Sequence, residues 1–198
     1  MKQILIETNI FKPTVSINEG KTSSDGNLLV QGILSTAEKQ NGNGREYPME
    51  ILEREINKYM VVVKENRALG ELDHPDSQVV NLKNVSHKIN DMKFVGKKVM
   101  GTIEILPTPS GNILKALFAS NVPVGISSRG MGSLKQVGEV MEVQDDFELL
   151  CYDFVSTPSN PGSYMSPLNE SLTESNIYNK TNSIITDILC SNDRCPIY

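Results

Sequence analysis

The chain has 198 residues, 38% of them hydrophobic and 22% charged, which is ordinary for a soluble globular protein and enough for one domain with a real core. A formal net charge of −5, with no basic run longer than Lys97-Lys98, argues against a nucleic-acid binder that works by neutralising phosphates. No apolar stretch approaches the roughly 18 residues of a membrane span, and the opening MKQILIETNIF is too short and too polar for an export signal, so a soluble intracellular protein without a membrane partner is expected.

In chain order, residues 1–27 carry a short apolar start and the polar stretch NEGKTSSDGN, which reads as an N-terminal arm. Leu28–Ser35 (LLVQGILS) is the first expected strand, and Gln40–Arg45 (QNGNGR) is a turn or loop. Pro48 then opens a helical pattern in which Ile51, Leu52, Ile56, Tyr59 and Met60 share one face; the β-branched run Val61–Val63 weakens its C-terminal end. ALGELDHPDS follows as a polar turn. Val85–Phe94 and Val99–Leu106 alternate with period two around Val95-Gly96-Lys97 and predict a hairpin. Asn112–Ser120 predicts a short amphipathic helix capped by Ser110. Val122–Ser128 predicts a strand running into a glycine-rich turn, Arg129–Ser133, and Val137–Val143 and Phe147–Val155 predict two more strands. From Ser156 the chain is dense in Ser, Asn and Pro and poor in large apolar residues, too few to fold alone, apart from a weak helical pattern at Ile184–Leu189. The expected organisation is one domain over residues 1–164 and a flexible tail over 165–198.

Three cysteines, Cys151, Cys190 and Cys195, without an export signal argue against a disulfide framework, and the last two lack nearby histidines for a zinc site. Cys151 lies in an apolar run and reads as a small core residue. No metal or cofactor is implied. Of the two histidines, His87 reads as a strand residue, and His74 stands in a polar turn where an imidazole can act as a base or merely cap the turn beside Pro75.

Gly125-Ile126-Ser127-Ser128-Arg129-Gly130 ends an apolar strand on two hydroxyls. A strand end presents a serine at a fixed position, and the following glycines let backbone N–H groups approach a substrate, so Ser128, Arg129 and Gly130 form a candidate oxyanion region. Ser127 and Ser128 point to opposite faces of a continuous strand, and strand physics alone leaves the choice of nucleophile open. Asp153 interrupts the apolar strand CYDFVS. A carboxylate there requires partners if buried and could orient a histidine; an outward-facing position or an arginine ion pair explains it equally. The order is His74, then Ser127 after 53 positions, then Asp153 after 26.

Taken together, GELDHP, GISSRGMGSL and YDFVSTPSNPG resemble the prohead core proteases of large contractile-tailed phages, a family grouped with other phage prohead proteases and the herpesvirus assemblins. NGNGREYPMEILEREI resembles the family's segment ahead of its helix, and the resemblance spans about residues 28–164. It implies an α+β fold, a mostly antiparallel β-barrel-like core decorated by a few helices. It also implies a serine endopeptidase acting in the host cytoplasm, inside the assembling head, on scaffold or core proteins and the major capsid protein. Position by position, Ser127 matches the nucleophile and His74 the base. Asp153 stands where assemblins carry a second histidine. A homodimer or higher oligomer is a further expectation. Related enzymes favour cleavage after Glu with Leu or Ile two positions earlier; Leu168-Asn169-Glu170 and Leu172-Thr173-Glu174 fit, which makes Glu170 and Glu174 candidate self-cleavage sites. The alternative is a catalytically inactive prohead core or scaffold protein, which need not keep His74 and Ser127 together.

Overall fold

A computed structural model describes residues 3–5, 22–75, 77–157, 159–160 and 162–167. The candidate cleavage sites Glu170 and Glu174, the 184–189 segment, Cys190 and Cys195 lie outside the described residues.

Among the described residues, eleven strands and two helices follow one another as β1 (Gln3–Leu5), β2 (Leu29–Thr36), β3 (Arg45–Glu46), α1 (Met49–Lys64), β4 (Leu69–Glu71), β5 (Val85–Val95), β6 (Lys98–Ile105), α2 (Pro109–Ala119), β7 (Gly125–Gly132), β8 (Leu134–Val137), β9 (Val140–Val143), β10 (Glu148–Val155) and β11 (Ser166–Pro167). One sheet has the order β11-β2-β6-β5-β4, a second β1-β7-β10, and a small third β3-β9-β8. All ladders are antiparallel except β3 with β9. The first two sheets meet edge to edge through isolated bridges, Leu72 to Phe154 and Gly125 to Tyr164. The fold is therefore strand-rich and wraps like a barrel, but its ladders do not close into one. No helix among the described residues is long and apolar enough to cross a membrane.

The α1 helix lays Ile51, Leu52, Ile56, Tyr59 and Val63 on the core at helical spacing. Each buried apolar side chain of this size contributes about 1.5–3 kcal/mol, and that packing carries the helix through the β-branched run to Lys64. Tyr59 meets Tyr152 of β10 edge-on, with ring centroids 6.0 Å apart. At the other end of β10, buried Glu55 accepts the Leu149 N–H at 3.2 Å. The helix thus supports the strand that carries Asp153.

Several elements depart from the sequence expectations. The N-terminal arm contributes β1, which pairs with β7 from Gln3↔Gly132 to Leu5↔Gly130 and buries Leu5 completely. The glycine-rich segment 129–132 continues β7 instead of turning, because it has strands on both sides. Val137–Val143 splits into the hairpin β8–β9 around Gly138, at φ 63°. The α2 helix starts earlier than expected: Pro109 fixes its first turn, and Thr108, not Ser110, accepts the Gly111 N–H at 3.0 Å. Strand pairing also reaches Pro167, beyond residue 164.

His87 is a strand residue, as read from the sequence, and it is fully buried. Its Nε2 contacts the Tyr152 carbonyl at 3.0 Å and its Nδ1 the Ser86 hydroxyl at 2.9 Å. The Tyr152 carbonyl can only accept, so Nε2 carries the proton and the ring is neutral. Gly70 makes this possible: a Cβ there would stand 2.0 Å from the Tyr152 oxygen and 2.4 Å from the imidazole. Burial pushes the His87 pKa from 6.5 down to about 4. Between those values the unfolded chain binds the extra proton, so this contribution to stability is complete above about pH 6.5 and fades as pH falls toward 4. Urea unfolding at pH 4.5 should show a loss on the order of 2–3 kcal/mol relative to pH 7. The loss should shrink in His87→Gln; an unchanged pH dependence there would assign it to other groups.

Candidate active site

The strand ladder assembles the site. β7 and β10 run antiparallel with Ser127 directly opposite Asp153 and Ser128 opposite Tyr152. Opposed residues project to one face with Cβ atoms about 4.5–5.5 Å apart, so Ser127 and Asp153 share a face. Ser128 shares the other with Tyr152, whose hydroxyl meets Ser35 at 3.0 Å in the interior. Ser127 is 1% exposed.

The histidine arrives from a different sheet. After β4, Leu72 bridges to Phe154, and the Asp73 N–H donates to the Phe154 carbonyl at 2.8 Å. Asp73 takes φ 64°, a left-handed conformation that Asp tolerates better than most residues, and the chain turns sharply there. This turn aims His74 back over β10, where its Nδ1 lies 2.8 Å from Asp153 Oδ2. The carboxylate accepts, so Nδ1 donates, and the neutral form of the ring keeps its lone pair on Nε2. Nε2 is buried and has no hydrogen-bond partner among the described residues.

Asp153 is fully buried and has four supports. Besides His74, it accepts the Glu71 backbone N–H at 2.9 Å, pairs with Arg129 Nε at 2.9 Å, and lies 3.5 Å from the Cys151 thiol. Burial by itself would raise its pKa. The His74 hydrogen bond, the Glu71 N–H and the Arg129 charge outweigh burial and hold the carboxyl below its ordinary value. Arg129 also reaches Glu71 Oε1 at 2.8 Å and the Ser77 carbonyl at 2.7 Å. With neutral His74, the formal charges of Arg129, Asp153 and Glu71 leave this buried cluster one unit negative; a protonated imidazole makes it neutral.

Sequence reasoning proposed His74, Ser127 and Asp153; the structure sets Ser127 across the ladder from Asp153 and places His74 Nδ1 2.8 Å from that carboxylate. It missed Glu71, whose only local signal is an acidic residue among the apolar positions before His74. The oxyanion assignments separate. The Arg129 side chain is completely buried behind Asp153. Gly130 pairs with Leu5 on one side and Leu149 on the other, and a Cβ there would lie 2.5 Å from the Phe147 ring, so this glycine serves packing. The Ile126 N–H points away from β10, donating to Ser163 at 2.8 Å. By strand alternation the Ser128 N–H points the same way, between Ser163 and Leu5. Cys151 is buried, and burial pushes its thiol far above the ordinary range, which suits a core residue and not a nucleophile.

A serine across the ladder from a buried carboxylate that bonds a histidine brings together the residue types a serine protease uses, and the comparisons with known proteins name a protease family. The sequence matches the prohead core protein serine proteases over residues 3–177, and the chain belongs to that family. It is similar to the prohead core protein protease of Enterobacteria phage T4, at 34% identity over 154 residues, covering 75% of this chain and 71% of that one. It also resembles the solved bacteriophage T4 capsid assembly protease, gp21, with a TM-score of 0.69 and 32% identity, covering 78% of this chain and 98% of the other.

Proposed function

We propose that this protein is a serine endopeptidase that cleaves scaffold or core proteins and the major capsid protein inside the assembling phage head, in the host cytoplasm. The observation that carries this reading is the buried Asp153–His74 hydrogen bond, 2.8 Å long, on the face that β7 gives to Ser127. Ser127 Oγ attacks the scissile carbonyl and His74 Nε2 takes its proton. Asp153 holds the imidazole in the tautomer with a basic Nε2 and stabilises the imidazolium, since the cluster behind it becomes neutral at that moment. The oxyanion accepts the Ser128 N–H, which by strand alternation points away from β10. His74 then returns the proton to the leaving amine, and water hydrolyses the acyl-enzyme by the same route.

Cleavage falls after Glu in Leu/Ile-x-Glu sequences. A cleft of about 310 Å³ beside Asp73 and Val155 is lined by Leu72, Ile113, Leu117, Val122 and Val124. Val155 stands two residues beyond Asp153 on its strand, about 7 Å along the ladder, so an extended substrate bound at Ser127 can place its Leu or Ile there. The catalytic domain expected over residues 1–164 extends through the paired β11, Ser166–Pro167, and the enzyme trims the remaining C-terminal segment after Glu170 or Glu174. A homodimer or higher oligomer fits the same reading.

Incubation of purified protein followed by intact-mass measurement should give C-termini at Glu170 or Glu174, and a Leu-Asn-Glu-Ser peptide should be cut after Glu. Val122→Glu, at a position 42% exposed, should raise KM for that peptide about tenfold with kcat retained. An intact Tyr198 terminus together with an uncut peptide would refute the specificity; an unchanged KM would remove the cleft from it.

A further inference from the structure

Arg129 stands on β7 two residues after Ser127, on the same face, and is fully buried. Its three donor nitrogens go to three different parts of the chain. Nε lies 2.9 Å from Asp153 Oδ2 on β10 and donates to Cys151 Sγ at 3.2 Å, Nη2 donates to Glu71 Oε1 at 2.8 Å at the end of β4 and to Asp153 Oδ1 at 3.3 Å, and Nη1 donates to the Ser77 carbonyl at 2.7 Å beyond His74. Glu71 Oε1 in turn accepts the Asn81 N–H at 3.0 Å. The segment so held has thin apolar anchorage: Val79 is 73% and Leu82 74% exposed. Polar bonds from one guanidinium and one carboxylate therefore tie down the chain that follows His74.

We propose that Arg129, with Glu71, is a positioning residue of the proteolytic site: a clamp that holds the segment following His74 against the two strands that carry Ser127 and Asp153. The proposal rests on the assignment of Ser127 and His74 made above. Burying an ion triad brings no stability advantage over well-packed apolar residues. What it supplies is direction, because the planar guanidinium bonds in a fixed fork that a lysine cannot reproduce. The clamp also sets charge. Without Arg129, Asp153 and Glu71 would be two buried carboxylates that have lost the cation between them. Neither residue touches the reacting atoms; both act through Asp153 and through the chain beside His74.

The test compares Arg129→Lys, Arg129→Ala and Glu71→Gln by peptide-cleavage kinetics, near-ultraviolet circular dichroism and amide hydrogen exchange of residues 77–84. Arg129→Lys should fold, with kcat about 100-fold lower, KM within about threefold, and faster exchange over 77–84. Arg129→Ala should be slower still, and guanidinium ion at non-denaturing concentration should restore kcat at least about tenfold where ammonium ion does not. If Arg129→Ala does not fold, Arg129→Lys and Glu71→Gln decide, since Glu71→Gln opens the same clamp from its other end. Wild-type kcat in Arg129→Lys, or lost kcat without faster exchange over 77–84, overturns the clamp. The site itself is checked separately, by labelling the wild-type enzyme with a fluorophosphonate and mapping the modified serine. A label away from Ser127 removes the site assignment whatever the Arg129 variants show.

Discussion

Replacing Ser127 by alanine should lower peptide cleavage by about 10⁵–10⁶-fold, whereas Ser128→Ala should leave activity within about tenfold of wild type. The two serines are adjacent, but the ladder separates them. Ser127 lies across from Asp153, on the face where His74 bonds to that carboxylate, and Ser128 lies across from Tyr152 on the other. Only the first shares that face with the histidine-bonded carboxylate. The contribution proposed for Ser128 is its backbone N–H, which alanine keeps. Single-turnover rates and the intact mass of each variant after long incubation would check this. An active, self-trimmed Ser127→Ala enzyme would move the nucleophile or end the mechanism.

Asp153→Asn should cost about 10⁴-fold in kcat, less than loss of the nucleophile, with little change in KM. Asparagine can still accept the Glu71 N–H through its carbonyl, but it then turns an NH₂ toward His74. The imidazole must accept there, its proton moves to Nε2, and the base is lost. The fold should survive, because removing one carboxylate from a cluster with one unit of excess negative charge leaves Arg129 paired with Glu71 at 2.8 Å. Thermal unfolding should therefore move by a few degrees while the rate collapses. A rate near wild type would take Asp153 out of the site, and a rate loss matched by a large loss of stability would assign Asp153 to the fold.

Much of the local structure was legible because it is written with short periods. The apolar face of α1, the β5–β6 hairpin and the strands around Ser127 and Asp153 follow from spacing along the chain. Where the reading failed, a partner distant in sequence was responsible. RGMG looks like a turn in isolation, but becomes strand because β1 and β10 saturate both its edges. GELD looks like a polar turn, but Leu69–Glu71 pairs with β5 and closes onto Tyr152 through Gly70.

The same division runs through the site. By itself the sequence determined the chemistry at hand: two histidines from which to draw a base, two adjacent hydroxyls at a strand, one carboxylate in an apolar strand, and an order of motifs specific enough to name a family. Only the tertiary structure decided what each group faces. It turned Asp153 inward to His74, set Ser127 and not Ser128 across from it, and buried the Arg129 side chain beside the carboxylate. The physical reason is that a strand's side-chain period records which residues share a face, while the pairing of strands decides what that face meets. His74 and Asp153, 79 positions apart, meet only because the bridge from Leu72 to Phe154 brings two sheets together.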